Sequence, residues 1–326
     1  MKNLQKNNLP LMSLNNFSIV FPGQGSQYPG MLVQYIDNLP LFKSTFNKSS
    51  DLLGTDLIRL LKRGSKEDLS KTEITQPLML TSNVALWNQI SSLVEKPICL
   101  AGHSLGEYAA LVAADVLSFE DALNLVIERS RLMQAAVPMG EGGIAAIIGL
   151  EEKNINEICS KISQSPDYLV SAANINSYNQ IVISGTKEGI NKAIQECKSL
   201  GAKRAIPLPM SVPAHCMLMK EAADKFSNSL DKVKFSEPKI PVIHNVDSLS
   251  ETNPERIKTK LIEQIYNPVR WLDTIKLMTE MKVTTIIECG PSKVLCGLIK
   301  RISSETKTID LDSFDNYLNL SNAERV

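Results

Sequence analysis

Gly102-His103-Ser104-Leu105-Gly106 is the stretch of this chain best suited to chemistry. The apolar segment Pro97-Ile98-Cys99-Leu100-Ala101 precedes it and reads as a buried strand. Glu107-Tyr108-Ala109-Ala110-Leu111-Val112-Ala113-Ala114 follows and is rich in helix formers. A Gly-x-Ser-x-Gly between strand and helix is a nucleophile elbow, where small flanking residues permit a tight bend that exposes the serine hydroxyl. The helix aims its first backbone N–H groups at the same point, where an oxyanion developing in acyl transfer needs donors. Ser104 is the candidate nucleophile.

A serine hydroxyl attacks only when a base within hydrogen-bond reach takes its proton, and the chain has three histidines. His103 adjoins Ser104, and neighbouring side chains at a strand end point to opposite sides. His103 is therefore expected to face away as a packed, hydrogen-bonded residue. His244, after Pro241-Val242-Ile243, reads as a solvated loop residue. His215 ends Ser211-Val212-Pro213-Ala214-His215 at the start of a helix, and Ser-before-His is the order of α/β serine enzymes. It is the expected base. Cys216 beside it points elsewhere and reads as a bystander.

Arg129 shares a helix face with Ala122, Leu125, Val126, Leu132 and Met133 by three- and four-residue spacing. A guanidinium on an apolar face must find an anion, because an unpaired buried charge is very costly. Two anions fit: an internal carboxylate, or a substrate carboxylate gripped by the planar fork. Arg131 falls beside Asn124 and Glu128 and reads as solvated.

These residues need elements to hold them. Phe17-Ser18-Ile19-Val20-Phe21 is a first strand, closed by Pro22-Gly23-Gln24-Gly25-Ser26-Gln27. That turn lacks the Gly-Lys-Ser/Thr ending of a phosphate loop and a full Gly-x-Gly-x-x-Gly, so nucleotide binding is not expected. Helical patterns run over 41–62, 76–94 and 119–136. Near Gly140 the rhythm changes: strand 143–149, helix 153–163, strands 168–174 and 180–184, helix 187–200 and strand 204–208. That is the β-α-β-β-α-β order of a ferredoxin-like unit. An α/β pattern resumes with strand 241–243, helices 255–263 and 273–281, and strand 285–288. The expected fold is a large α/β-hydrolase-like domain (17–139 and 209–312) with a parallel sheet and nucleophile elbow. A ferredoxin-like subdomain (140–208) is inserted in it, with the site in the cleft between them. Residues 1–16 read as a loose leader and 313–326 as a loose tail.

Across the 326 residues, Lys+Arg and Asp+Glu both number 35. No overall field therefore draws the protein to nucleic acid or an anionic membrane, and no apolar run approaches the ~20 residues of a membrane span. The six cysteines include no Cys-x-x-Cys and no zinc-finger spacing with His. They read as free thiols in a reducing cytoplasm, with no metal and no cofactor.

Five motifs taken together carry a resemblance: Phe21-Pro22-Gly23-Gln24-Gly25-Ser26-Gln27, Gly102-His103-Ser104-Leu105-Gly106-Glu107, Arg129, Val212-Pro213-Ala214-His215 and Tyr266-Asn267-Pro268-Val269-Arg270-Trp271. In this order and spacing the chain resembles the malonyl-CoA:acyl carrier protein transacylases of fatty acid synthesis, relatives of polyketide acyltransferases. The likeness runs from about Phe17 to Arg301, with Glu288-Cys289-Gly290-Pro291 near its end. The resemblance implies that Ser104 carries malonate as an ester, His215 is base and then acid, and Arg129 holds the free carboxylate. Gln24 and the backbone N–H of Leu105 would form the oxyanion hole. Gln264 would orient His215 through its backbone carbonyl, in place of a triad Asp. The implied partners are malonyl-CoA and a phosphopantetheinylated acyl carrier protein, and the expected state is a monomer. Lys203, Arg204, Lys300 and Arg301 are candidates for docking an acidic carrier. His244 stands where the family is expected to carry Asn or another small polar residue, so its role stays open. A serine thioesterase shares the elbow but has no use for a carboxylate clamp at Arg129. An inactive carrier-docking paralogue has no need of the whole set.

Overall fold

The protein is described here by a computed structural model covering residues 15–209 and 212–323. Among these residues the strands are β1 (Phe17–Phe21), β2 (Leu100–Gly102), β3 (Gly142–Ile148), β4 (Val170–Ser177), β5 (Gln180–Thr186), β6 (Arg204–Pro207), β7 (Val242–Ile243), β8 (Thr285–Glu288) and β9 (Lys307–Asp310). They form a five-stranded sheet in the order β7-β2-β1-β8-β9 and a four-stranded sheet in the order β4-β5-β3-β6.

Every neighbouring pair in the larger sheet is parallel. Helices cover parallel strands, so their residues are apolar without alternation. All residues of β1 and β8 are buried accordingly. Edge strand β9 is polar and partly exposed, and its residues gave no apolar run from which to expect a strand. The parallel register brings the carboxyl ends of β1, β2, β7 and β8 to one side. Ligands in open parallel sheets bind outside these ends, and the loops carrying Gln24, Ser104, His244 and Gly290 leave from them.

The smaller sheet is wholly antiparallel, with β3 paired to both β5 and β6. Its two helices, Glu152–Ile162 and Lys187–Ser199, complete the β-α-β-β-α-β order over 142–207. Their apolar faces share a core with the sheet through Ile155, Cys159, Ile190 and Ala193. The free edge of β4 is closed by the other unit: Val269 exchanges backbone hydrogen bonds with Ala173 and Ile175 (both 2.9 Å). Leu272, on the helix Trp271–Glu280, packs into the small core. The two units are thus stitched together beside the elbow.

Three expectations need correction. The helical pattern of 41–62 is two helices, Pro40–Leu53 and Leu57–Arg63. Gly54 takes a left-handed conformation (φ 61°) and Asp56 caps the second helix, accepting from Arg59 N–H. The helix after His215 begins later, with a 3₁₀ turn at Met217–Met219 before Lys220–Leu230. The tail is not loose over its described part: Phe314–Ala323 is a helix. Phe314 meets Tyr35 edge-on at 4.9 Å and Tyr317 is buried against the same ring at 5.5 Å. An aromatic cluster of that kind supplies what composition could not reveal. The leader expectation concerns mainly residues 1–14, which lie outside the described residues.

Candidate active site

Ser104 follows β2 directly and adopts a left-handed backbone, φ 52°. The bend is possible because both flanking glycines touch backbone. A Cβ on Gly102 would stand 1.9 Å from the Gly106 carbonyl carbon, and one on Gly106 2.0 Å from Phe21 O. The helix Gly106–Ala113 then starts just after Ser104, with Leu105 at its N-cap. The Leu105 N–H is among the donors that a helix start leaves without an internal partner.

The loop after β1 is pressed onto this turn. A Cβ on Gly23 would lie 2.3 Å from His103 O and 3.7 Å from Leu105 N. Asn83 Nδ2 donates to Pro22 O (2.9 Å), and Gly290 packs so closely that a Cβ would meet Pro22 Cγ at 2.2 Å. Gln24 is half-buried, and its Oε1 accepts from Thr72 Oγ1 at 2.8 Å.

His215 Nε2 lies 2.8 Å from Ser104 Oγ, and His215 Nδ1 lies 2.7 Å from the backbone carbonyl of Gln264. A carbonyl only accepts, so Nδ1 carries the proton and Nε2 offers its lone pair to the serine. The reason for this arrangement is a helix end. Gln264 and Ile265 belong to the last turn of Pro254–Tyr266, whose carbonyls have no partner within the helix. His215 satisfies two of them, by its ring Nδ1–H to Gln264 and its backbone N–H to Ile265 (3.0 Å). Like Ser104 it is left-handed, φ 62°. Burial, and then the Arg129 guanidinium, push its pKa from the usual 6.5 down to about 3.

Arg129 is 1 % exposed, on the helix Phe119–Ala135 among the buried residues expected for that face. Its hydrogen-bond partners are neutral oxygens. Nη1 donates to Gln76 Oε1 (2.6 Å), and Nη2 to Gln264 Oε1 (3.1 Å) and Ser104 Oγ (3.3 Å). The internal carboxylate that could have paired with it, Glu107, is one amide further away. Gln264 Nε2 donates to Glu107 Oε2 (2.7 Å) while its oxygen faces Arg129. Burial pulls the guanidinium pKa down from its ordinary value. Arg131 pairs with Glu128 on the surface.

The remaining histidines differ from each other. His103 bonds Asn176 Oδ1 through Nε2 (2.8 Å), and burial lowers its pKa. His244 is not a solvated loop residue. It is 0 % exposed, with Nδ1 2.7 Å from Glu107 Oε1. It follows edge strand β7, which pairs with β2 and so delivers the next residues to the base of the elbow. Asn245 there accepts from Ser104 N–H (2.7 Å) and donates from Nδ2 to Gly102 O (2.6 Å).

Glu107, Asn245, Gln76 and Thr72 escaped the sequence reading as site residues. Glu107 alone had a local signal, since it stands one helical turn after Ser104 and so shares its side of the helix. Cys216 is buried with Sγ on Pro213 O (3.1 Å) and its pKa raised by burial, away from the chemistry. Of the four basic docking candidates, Lys203, Arg204 and Arg301 line one cavity of about 480 Å³ together with Tyr178 and Gln180. Lys300 is exposed in the adjoining helical turn but does not line it.

Known proteins share this arrangement over nearly the whole chain. The acyl transferase domain family matches residues 18–311. A malonyl CoA-acyl carrier protein transacylase of Salmonella typhimurium is 48% identical over 290 residues, covering 89% of this chain and 93% of that protein. The crystal structure of an acyl carrier protein S-malonyltransferase from Vibrio cholerae superposes with a TM-score of 0.90 at 46% identity, covering 94% of this chain and 99% of the other. A malonyl-transacylase in complex with its type II PKS acyl-carrier protein gives 0.91 at 44% identity, with 94% and 99% covered. With the fold in common and this degree of identity, the chain belongs to the acyl transferase domain family, among the malonyl-CoA:acyl carrier protein transacylases.

Proposed function

We propose that this enzyme moves malonate from the CoA thiol to the phosphopantetheine thiol of an acyl carrier protein through an ester on Ser104, for fatty acid or polyketide synthesis. The observation that carries the reading is Arg129: a buried cation, 3.3 Å from the nucleophile, whose partners are all neutral. A guanidinium so placed is an anion site at the reacting centre. A hydrolase of neutral acyl groups would gain nothing from it, which disfavours the thioesterase reading.

Ser104 Oγ attacks the malonyl thioester carbon as its proton passes to His215 Nε2. The resulting imidazolium sits against the C-terminal carbonyls of Pro254–Tyr266, the negative end of a helix dipole. The tetrahedral oxyanion takes donors from Leu105 N–H and Gln24. As the C–S bond breaks, His215 returns its proton to the leaving CoA thiolate. In the second half the carrier thiol gives a proton to His215 and attacks the ester, and Ser104 recovers the proton as it leaves. Two thiols use one covalent intermediate in turn, so the kinetics are ping-pong. The chain Arg129–Gln76–Thr72–Gln24 supports joint positioning of the carboxylate clamp and the oxyanion loop.

Ser104→Ala should abolish the malonyl-enzyme adduct seen by intact-mass analysis. His215→Ala should slow adduct formation by roughly 10²–10⁴-fold, the worth of a positioned base. An adduct surviving on Ser104→Ala would move the nucleophile elsewhere.

Arg129→Ala should reduce malonyl loading by about 10²-fold or more while sparing or improving acetyl loading, because only malonyl brings a carboxylate to the fork. Arg129→Lys should rescue in part, an ammonium lacking the planar geometry. Equal losses for both acyl groups, with a fall in melting temperature, would make Arg129 structural.

The depressed pKa of His215 fixes a pH dependence. A base with a lowered pKa stays neutral and competent as pH falls, so acylation kcat/KM, which reports the free enzyme, should have its acid limb well below 6.5. The same shift makes unfolded chain bind more protons than folded chain between pH 3 and 6.5, so stability falls as pH drops through that window. An acid limb centred at 6.5 would mean an ordinary solvated imidazole.

We read the enzyme as a cytoplasmic monomer that docks an acidic carrier protein at Lys203, Arg204 and Arg301, with Lys300 beside them. Its six cysteines are free and buried, as suits a reducing compartment. Light scattering of the complex should give one chain per carrier protein. Added salt should weaken transfer to the carrier more than transfer to a small thiol. Equal salt sensitivity for both acceptors would remove electrostatic docking.

A further inference from the structure

Glu107 is a buried carboxylate with no role in the steps above and no contact with a reacting atom. It is 0 % exposed, in the first turn of the elbow helix, where the dipole favours a negative charge. It accepts three hydrogen bonds: from His244 Nδ1 (2.7 Å), from the Asn245 backbone N–H (3.1 Å) and from Gln264 Nε2 (2.7 Å). We propose that Glu107 is a positioning residue for substrate selection, fixing the orientation of the Gln264 amide and through it the aim of Arg129. The inference rests on Arg129 binding the substrate carboxylate.

The argument is one of donors and acceptors. An amide has two ends and fits a pocket either way round unless its neighbours decide. Gln264 lies between a cation and a carboxylate. Its NH₂ end donates to Glu107 Oε2 and also to Ser104 O (3.0 Å), so its oxygen turns to Arg129 Nη2. The reverse orientation would set an NH₂ against the guanidinium and an oxygen against the carboxylate. The amide oxygen holds Nη2 beside Ser104 Oγ, and Gln76 holds Nη1 from the other side. Without Glu107 the NH₂ end of the amide keeps only its longer bond to Ser104 O, and the support that Gln264 gives the guanidinium is less firmly aimed. The same carboxylate anchors the Asn245 backbone, whose side chain grips both sides of the elbow. Loss of Glu107 therefore reaches the nucleophile as well, but equally for every acyl group. Selectivity isolates the route through Arg129.

The test is the ratio of malonyl to acetyl acylation kcat/KM, a quantity from which the fraction of correctly folded enzyme cancels. Gln264→Leu cuts the link while keeping the backbone carbonyl that orients His215, and Glu107→Ala removes its origin. Each should lower the ratio by about tenfold or more, and the double variant should fall no further than either alone, as residues acting in series do. Glu107→Gln should hold the ratio within about threefold. Its oxygen can take the Asn245 and Gln264 donors while its NH₂ meets His244, which accommodates it by changing tautomer. An unchanged ratio in Gln264→Leu would overturn the proposal even if Glu107→Ala does not accumulate as folded protein. Additive losses in the double variant would overturn it too, as would a tenfold loss in Glu107→Gln, which would assign the effect to charge. Absence of a malonyl preference in wild type would instead refute the reading of Arg129 on which the inference rests.

Discussion

Ser104 is held with its backbone in the left-handed region. For a residue with a side chain this costs about 1–2 kcal/mol, and the surroundings of the site serve to make it the stable choice. Asn245 offsets the cost by closing on both sides of the bend, with hydrogen bonds to Ser104 N–H and Gly102 O. At about 1 kcal/mol each, these two bonds match the strain. Gln264 adds a third at Ser104 O. The glycines at 102 and 106 permit the tight packing of the turn, since any Cβ there would enter backbone. The strained serine is thereby held with its hydroxyl 2.8 Å from His215 Nε2.

The same economy governs the charges. Arg129 and Glu107 are both buried, and neither forms a direct ion pair with the other. One neutral amide, Gln264, faces each with its opposite end. A direct pair would quench the guanidinium, because a carboxylate of the protein would occupy the face of its fork. A dipole between them orients the cation without a carboxylate against it. His215 follows a similar pattern. Its Nδ1–H is held by a helix-end carbonyl where a serine triad has a carboxylate, so its ring remains neutral at rest. A buried imidazole beside a guanidinium resists protonation.

These contacts come from five separate segments, and the two sheets explain how they converge. Parallel pairing aligns the carboxyl ends of β1, β2, β7 and β8, so their following loops meet in one place. The antiparallel sheet closes the site from the other side. The Val269 backbone pairs with the edge of β4, and Asn176 on β4 holds His103 next to Ser104. The elbow is thus built by one unit and braced by both.

The sequence by itself determined the elements whose cause is local. The elbow is legible because Gly-x-Ser-x-Gly between an apolar run and helix formers permits few other conformations. The burial of Arg129 is legible because helical periodicity puts it among apolar neighbours. The β-α-β-β-α-β order is legible because hydrophobic period changes between strand and helix and an Asn-rich turn parts the two middle strands. What only the tertiary structure decided are contacts between segments remote in the chain. His244 looked like a loop residue because nothing near it in sequence reveals that edge strand β7 delivers it beneath the elbow helix. Glu107 was not singled out for the same reason, its partners lying 137, 138 and 157 residues away. The helix Phe314–Ala323 read as tail because the Tyr35 ring that it covers belongs to the other end of the chain. Periodicity and turn chemistry act over a few residues, whereas a buried carboxylate is satisfied only by whatever the finished fold places around it.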